Sequence, residues 1–323
     1  MRNILKLSIA MALCAAVFVA GTPVWAEYPE KPIKILIPWA AGGTTDIGVR
    51  KLGSIVEKPL GQPIIVENRT GGSGTIALSA CAHAKPDGYT LVAPTSSPVF
   101  ITPHLRKVPY NAIEDLVAVM NYSGPHHGVS VPVGSEWQKF EDLIKFGKEK
   151  PNQATFATAG TFAGAHISFL YLEKLTGAKF SHVPFKGGGP ATAAVLGRHV
   201  SFAIIPKYAD HVRAGKLRVL AVLDGTRDPD FPDVPTLRDL GYDWEFASIV
   251  GFMAPAGTPE PILSKLEKVF TQAADSAEFR DFMKKANLPV RLMSRKEFGA
   301  VLKTNYVGYR KAIEELGLAK LAK

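Results

Sequence analysis

The sequence predicts an α/β protein built as two similar units, each with a mostly parallel sheet covered by helices. Three observations carry this expectation. Short apolar runs of strand length alternate with longer segments of helical period. Small-residue turns recur where a strand gives way to a helix. The pattern of the first hundred residues then starts again near residue 140. Such alternation is the mark of parallel sheets with crossover helices, whose ligands sit beyond the carboxyl ends of the strands.

Taken in order, Ile33, Ile35 and Ile37 alternate with Lys34 and Leu36 as a strand after Pro29 and Pro32. The small-residue stretch 38–46 follows, and Ile47, Val49, Leu52, Ile55, Val56 and Leu60 then recur at helical spacing up to Gly61. Strand 63–67, helix 75–84 and strand 89–93 complete the first series, which ends in the loop 94–97. The second series reads as helix 140–149, strand 154–157, turn 158–161, helix 162–175, strand 180–183, glycine-rich loop 184–190, helix 191–196, and strands 200–205 and 217–223. Segments 263–285 and 295–316 are helical, with Gly317 as a stop. No low-complexity linker separates the units, so strands near 117–133 and 248–254 are expected to join them.

Of the 323 residues, the first 26 read as an export signal: Arg2 and Lys6, an apolar run from Leu7 to Ala20, then Val24 and Ala26 before Glu27. The run falls short of the roughly 20 residues a membrane span needs. Cys14 follows Leu13 and lacks the small neighbour of a lipoprotein site, and Cys81 alone cannot form an internal disulfide, so a large core must supply stability. The net charge of +9 is scattered over exposed helix positions rather than gathered into a stripe with aromatics, which excludes a nucleic-acid footprint.

Catalytic and cofactor motifs are missing or incomplete. Gly72, Gly74 and Ala77 fit G-x-G-x-x-A, but four residues separate the strand from the first glycine and no acid closes the next strand. No Walker loop, G-x-S-x-G, H-E-x-x-H or C-x-x-C occurs. His126 and His127 are adjacent, so their side chains diverge and suit a hinge better than a metal. His166 and His182 read as packing or hydrogen-bonding groups. Three small-residue turns before helices remain, at 40–46, 158–161 and 186–190; such turns present backbone N–H groups and a helix dipole to an anion. No enzyme activity, cofactor or metal is expected.

Six strings occur in order: PWAAGGTTD at 38–46, VENR at 66–69, KPDGYTL at 85–91, HVPFKGGGPA at 182–191, AGKLR at 214–218 and APAGTP at 254–259. Together they resemble the Bug (TctC-type) family, extracytoplasmic solute receptors of tripartite tricarboxylate transporters, over nearly all of the chain after residue 27. The resemblance implies a periplasmic-binding-protein fold of type II-like form, two α/β lobes closing as a clamshell about crossing hinge strands. The first lobe would take 27–124 and 252–323, and the second 125–251. It implies a monomer in the periplasm that passes a di- or tricarboxylate, or an aromatic carboxylate, to the large and small membrane subunits of the transporter. Ligand contacts would come from Trp39, Ala40, Ala41, Gly42, Gly43, Thr44, Thr45, Thr95 and Ser96 of the first lobe. Ala159, Gly160, Thr161, Phe185, Lys186, Gly187 and Gly188 would meet it from the second, with Asp46 capping the helix beside the site. Lys207 would either pair with a second carboxylate or point to solvent.

The chain departs from the family pattern at Trp39, where Phe is usual, and at Ala41, where Pro is common. The segment 200–207 lacks the Asp that suits a ligand amino group. A carboxylate with an apolar, aromatic-leaning body flanked by Trp39, Phe162 and Phe185 is the expectation. The competing readings are a sensory receptor with the same site and a periplasmic enzyme of carboxylates using His166 or Asp46.

Overall fold

The computed structural model describes residues 28–319 except Lys186 and Ala247; the expected signal segment and the Lys186 contact lie outside the described residues. In chain order the elements are β1 Ile33–Ile37, α1 Thr44–Leu60, β2 Ile64–Asn68, α2 Thr75–Ala82, β3 Thr90–Val92, β4 Leu116–Ser123, β5 Gly128–Pro132, α3 Phe140–Glu149 and β6 Thr155–Thr158. There follow α4 Gly164–Thr176, β7 Ser181–Pro184, α5 Gly188–Leu196, β8 Phe202–Ile205, α6 Ala209–Arg213, β9 Leu217–Val222, β10 Val250–Pro255, α7 Glu260–Asp275, α8 Ala277–Lys285 and α9 Arg295–Glu315.

Two five-stranded sheets form, in the orders β2-β1-β3-β10-β4 and β7-β6-β8-β5-β9. β1 pairs in parallel with β2 and β3, whereas β10 runs antiparallel to β3 and β4. In the second sheet β6 is parallel to β7 and β8, and β5 is antiparallel to β8 and β9. The chain passes between the sheets twice, through 124–127 and through 223–249. Ser123 ends β4 on the edge where β1 and β3 also end. Gly128 opens β5 opposite Ile205, the end of β8. Both crossovers therefore join the carboxyl edges of the parallel strands, the edges at which α/β sheets hold ligands.

The alternating isoleucines of β1 are fully buried, as are Val49, Leu52 and Val56 of α1. Gly48 lets the helix approach closely: a Cβ there would lie 2.9 Å from the Tyr122 hydroxyl. Gly61 ends α1 with φ 68, the left-handed conformation that glycine takes without steric cost. One apolar cluster runs from Leu36 and Val92 under the first sheet to Phe156 and Phe202 under the second, with Phe298 and Tyr309 of α9 among its members.

The elements differ from the sequence expectation in several places, among them the unexpected short helices Thr102–Leu105 and Ala209–Arg213. The apolar period over 263–285 is broken at Ser276, whose extended backbone (ψ 147) ends α7 and whose hydroxyl accepts the Phe279 N–H of α8 at 3.2 Å. α5 begins at Gly188 instead of residue 191, because Pro190 needs no N–H in a first turn. The loop after β3 tightens into a π-helical turn, Ser97–Ile101. Among the described residues no helix is long and apolar enough to cross a membrane.

Candidate functional site

The loop after β1 is held from behind by a polar network. Asp46, 3% exposed, accepts the Gly42 N–H at 2.8 Å through Oδ2. Its Oδ1 accepts Arg50 Nε at 3.0 Å and Asn68 Nδ2 at 2.9 Å. Asn68 Nδ2 also donates to the Trp39 carbonyl at 2.9 Å, and Arg50 Nη2 donates to Asn68 Oδ1 at 2.8 Å. Burial pushes the Asp46 carboxyl up, but the Gly42 N–H, Arg50 and Asn68 together outweigh it and hold the group below the usual range. The expected capping role of Asp46 thus takes another form. From the third helical position its carboxylate reaches past Gly43 to Gly42, and no side chain caps the start of α1. The first-turn N–H groups of that helix keep their outward donor capacity.

Trp39 joins this loop to the next, its indole Nε1–H donating to Thr95 Oγ1 at 3.0 Å. Ala40, Ala41, Gly42 and Gly43 are exposed, Thr44 is half-buried, and Thr45 and Ser96 are buried. Every site residue expected from the first unit therefore lies on one sheet edge.

On the second sheet the loops are fastened differently. Thr158 ends β6 fully buried; its hydroxyl donates to the Gly160 carbonyl at 3.0 Å and meets His182 Nε2 at 2.7 Å. That leaves His182 as the donor, so the network places its proton on Nε2. The Phe162 N–H donates to His166 Nδ1 at 2.9 Å, which puts the His166 proton on Nε2 as well. The two imidazoles stack with centroids 3.6 Å apart and planes 14° from parallel. Burial, and then the neighbouring His182, take His166 down to about 3; burial takes His182 down to about 4. Both rings are neutral at physiological pH.

Beyond the strand ends, the Phe185 N–H donates to Thr158 O at 3.0 Å and the Gly187 N–H to Ala159 O at 3.1 Å. Phe185 and Gly187 therefore lie alongside Thr158 and Ala159. Gly187 has φ 111, a conformation that requires glycine, and α5 opens at Gly188 without a side-chain cap. A Cβ on Gly188 would lie 3.6 Å from Pro206, which brings Lys207 to the same edge, exposed. Ala159 and Thr161 are exposed, and Gly160 and Phe185 half-buried.

His126 and His127 lie in the first crossover. The His127 N–H donates to Asp224 Oδ2 at 2.6 Å, and His126 Nδ1 stands 3.8 Å from the same oxygen. Burial raises the Asp224 carboxyl well above its ordinary value. No cluster that could hold a metal occurs among the described residues. A groove of about 540 Å³ along Leu116, Ala256 and Lys303, and one of about 280 Å³ along Pro132, Thr155 and Ser201, border the opposite ends of the sheets.

Sequence reasoning missed Arg50 and Asn68 as supports of the first loop, and the joint role of His166 and His182 under the second. Arg50 stands four residues after Asp46 on one helix face, a legible signal. Asn68 belongs to the VENR string but gains its meaning only from pairing beside β1.

Two α/β sheets joined by crossovers, with glycine-bearing loops ahead of uncapped helices on the joined edges, define a class: a solute receptor of the periplasmic-binding-protein fold. The periplasmic binding protein BugD matches with TM-score 0.74 at 27% identity, covering 90% of this chain and 99% of that one. MatC from Rhodopseudomonas palustris with bound malate matches with TM-score 0.75 at 27% identity, covering 88% and 100%. A UPF0065 protein of the gbd 5′ region of Cupriavidus necator is 35% identical over 313 residues, 96% of this chain and 95% of the relative. The chain belongs to the tripartite tricarboxylate transporter family receptors, whose family model matches residues 49–318. These are solute-binding receptors, not enzymes.

Proposed function

We propose that the chain is a periplasmic receptor, exported through residues 1–26. As a monomer it captures a small carboxylate between two lobes, 27–124 with 252–323 and 125–251, and delivers it to the membrane subunits of its transporter. The observation that carries this reading is the uncapped start of α1 behind an exposed glycine loop, with the Asp46 charge already satisfied by Gly42, Arg50 and Asn68. A carboxylate placed there gains N–H donors and the helix dipole without meeting an unpaired negative charge. Lobe closure would surround the anion with low dielectric and strengthen those bonds.

Malate bound to MatC supports a dicarboxylate class. Half-buried Trp39, Phe162 and Phe185 at the loop edges favour a ligand with an apolar or aromatic body. Lys207, exposed and next in sequence to Pro206, which lies by Gly188, would meet a second carboxylate or point to solvent. A thermal-shift screen with malate, citrate, adipate, glutamate, phthalate and nicotinate tests the reading. A ligand at 100 times its Kd adds about 2.7 kcal/mol of stability, a rise of several degrees. A flat panel would sink the carboxylate assignment, and a response to glutamate alone would sink the apolar-bodied ligand.

A further inference from the structure

Beyond the crossovers, one of the contacts that tie the two sheets is a side-chain amide. Asn287, in the turn after α8, sends Nδ2 to both oxygens of Asp210, at 2.9 Å and 2.7 Å. Its Oδ1 accepts Arg213 Nη1 at 3.3 Å. Asp210 and Arg213 stand three residues apart on α6 and face each other at 3.7 Å, and Arg213 is held a second time by Asp230 at 2.6 Å. The amide thus sits in a bracket of acid and guanidinium that matches its donor and acceptor ends. Asn287 has φ 52, a left-handed conformation that Asn tolerates better than most residues.

The placement of the two partners gives this contact its meaning. The turn carrying Asn287 is fastened to the crossover edge of the first sheet: Ser123 Oγ donates to Pro289 O at 2.6 Å, and the Arg291 N–H donates to Tyr122 O at 2.9 Å. Helix α6 follows β8, so it leaves the crossover edge of the second sheet just after Lys207. These are the edges whose loops the proposed receptor closes on its solute, and edges that face one another separate when the halves rotate apart. Another link between the halves is of a different kind. There Tyr171 packs at a tilt on Trp244 with centroids 4.6 Å apart, Trp244 packs edge-on against Tyr309 of α9 at 5.2 Å, and the Glu315 carbonyl accepts Lys174 near the far end of α4. That link joins α4 to α9 directly through Glu315 and partly through Trp244 of the second crossover.

We infer that Asn287, with Asp210 and Arg213, is a clasp that holds the two halves in the closed arrangement and sets how often they part. The inference rests on the reading of the chain as a receptor whose halves move. Asp210 and Arg213 are 65% and 49% exposed, so the clasp is weak in absolute terms. A weak clasp suits a receptor, which must open again to release its solute. A small bias shifts populations between two nearly balanced states by several-fold.

The test needs no solute. Spin labels on cysteines introduced at exposed Ser54 of α1 and Lys145 of α3 report the distance between halves; Cys81 is fully buried and does not compete for the label. Asn287→Gly removes the amide and keeps the backbone conformation, and Asp210→Ala removes its partner from the other side. Each is expected to raise the population of long distances several-fold. The double variant should add little to either single one, as two changes to one interaction do. Distance distributions that superimpose on the parent's in both variants would overturn the clasp and leave the carboxylate reading untouched. A flat ligand screen beside widened distributions would do the reverse.

Discussion

At the end of β1 the loop is fastened by ions: Asp46 and Arg50, with Asn68 between them, pin Gly42 and Trp39. At the end of β6 the fastening falls to neutral rings, with His182 on Thr158 and His166 on the Phe162 N–H, stacked face to face. Both solutions hold glycine-bearing loops ahead of uncapped helices on a crossover edge. They differ in which condition undoes them. The ionic support tolerates mild acid, because its carboxylate sits below the usual range. The imidazole support depends on both rings staying uncharged.

The largest effect should come from breaking the ionic side. Asp46→Ala removes the acceptor of three hydrogen bonds and leaves Arg50 only Asn68, an expected loss of about 3 kcal/mol in urea unfolding. A loss below about 1 kcal/mol would show that the network is ornamental.

Acid should strike the other side. The folded-state values of His166 and His182 lie below the unfolded value of about 6.5, so the unfolded chain binds more protons between these limits. The stability these rings contribute is whole above pH 6.5 and drains as pH falls towards 4 and then 3. From pH 7 to pH 5 this is up to about 2 kcal/mol per imidazole. Buried Glu173 and Asp224, both raised, act in the opposite direction, so the comparison must be made between variants. His182→Gln should show a clearly smaller drop in Tm over this range than the parent. Asp46→Ala should leave the pH dependence as it was, because Asp46 titrates below the window.

Smaller changes refine the comparison. Gly187→Ala meets no atom within 4 Å, so its cost is backbone strain at φ 111, about 1–2 kcal/mol. Trp39→Phe keeps an aromatic body and deletes the bond to Thr95, an expected loss of about 1 kcal/mol. Solute affinity that drops with Trp39→Phe while Tm barely moves would place the indole in recognition more than in support.

The alternation of Ile33, Ile35 and Ile37 and the helical spacing from Val49 to Leu60 made the first unit legible, because burial on one face imposes a period on the sequence. The candidate loops were legible for a related reason: a strand-to-helix turn that exposes backbone N–H groups needs small residues, and 40–43 and 187–189 supply them. What supports those loops was not. Asp46 and Asn68 are 22 residues apart and meet only because β2 lies beside β1. His166 and His182 belong to a helix and a strand whose contact is tertiary. The break at Ser276 escaped because no glycine or proline marks it and apolar residues continue on both sides, Ala273 and Ala274 before it and Phe279 and Met283 after it.

The position of β10 between β3 and β4 bears on how the molecule is put together in time. Every strand of the second sheet comes from one stretch, Gly128 to Val222, so that sheet can pair as soon as this stretch is available. The first sheet cannot. β4 has β10 as its sheet neighbour, and more than a hundred residues separate the two, so a chain emerging amino end first carries β1 to β3 and β4 as unjoined pieces. During that interval β3 and β4 each present an open edge, the kind of surface that invites pairing with the wrong chain. Arrival of β10 and then α9 closes that window, which makes the last quarter of the polypeptide the step that commits the nascent molecule to its own fold.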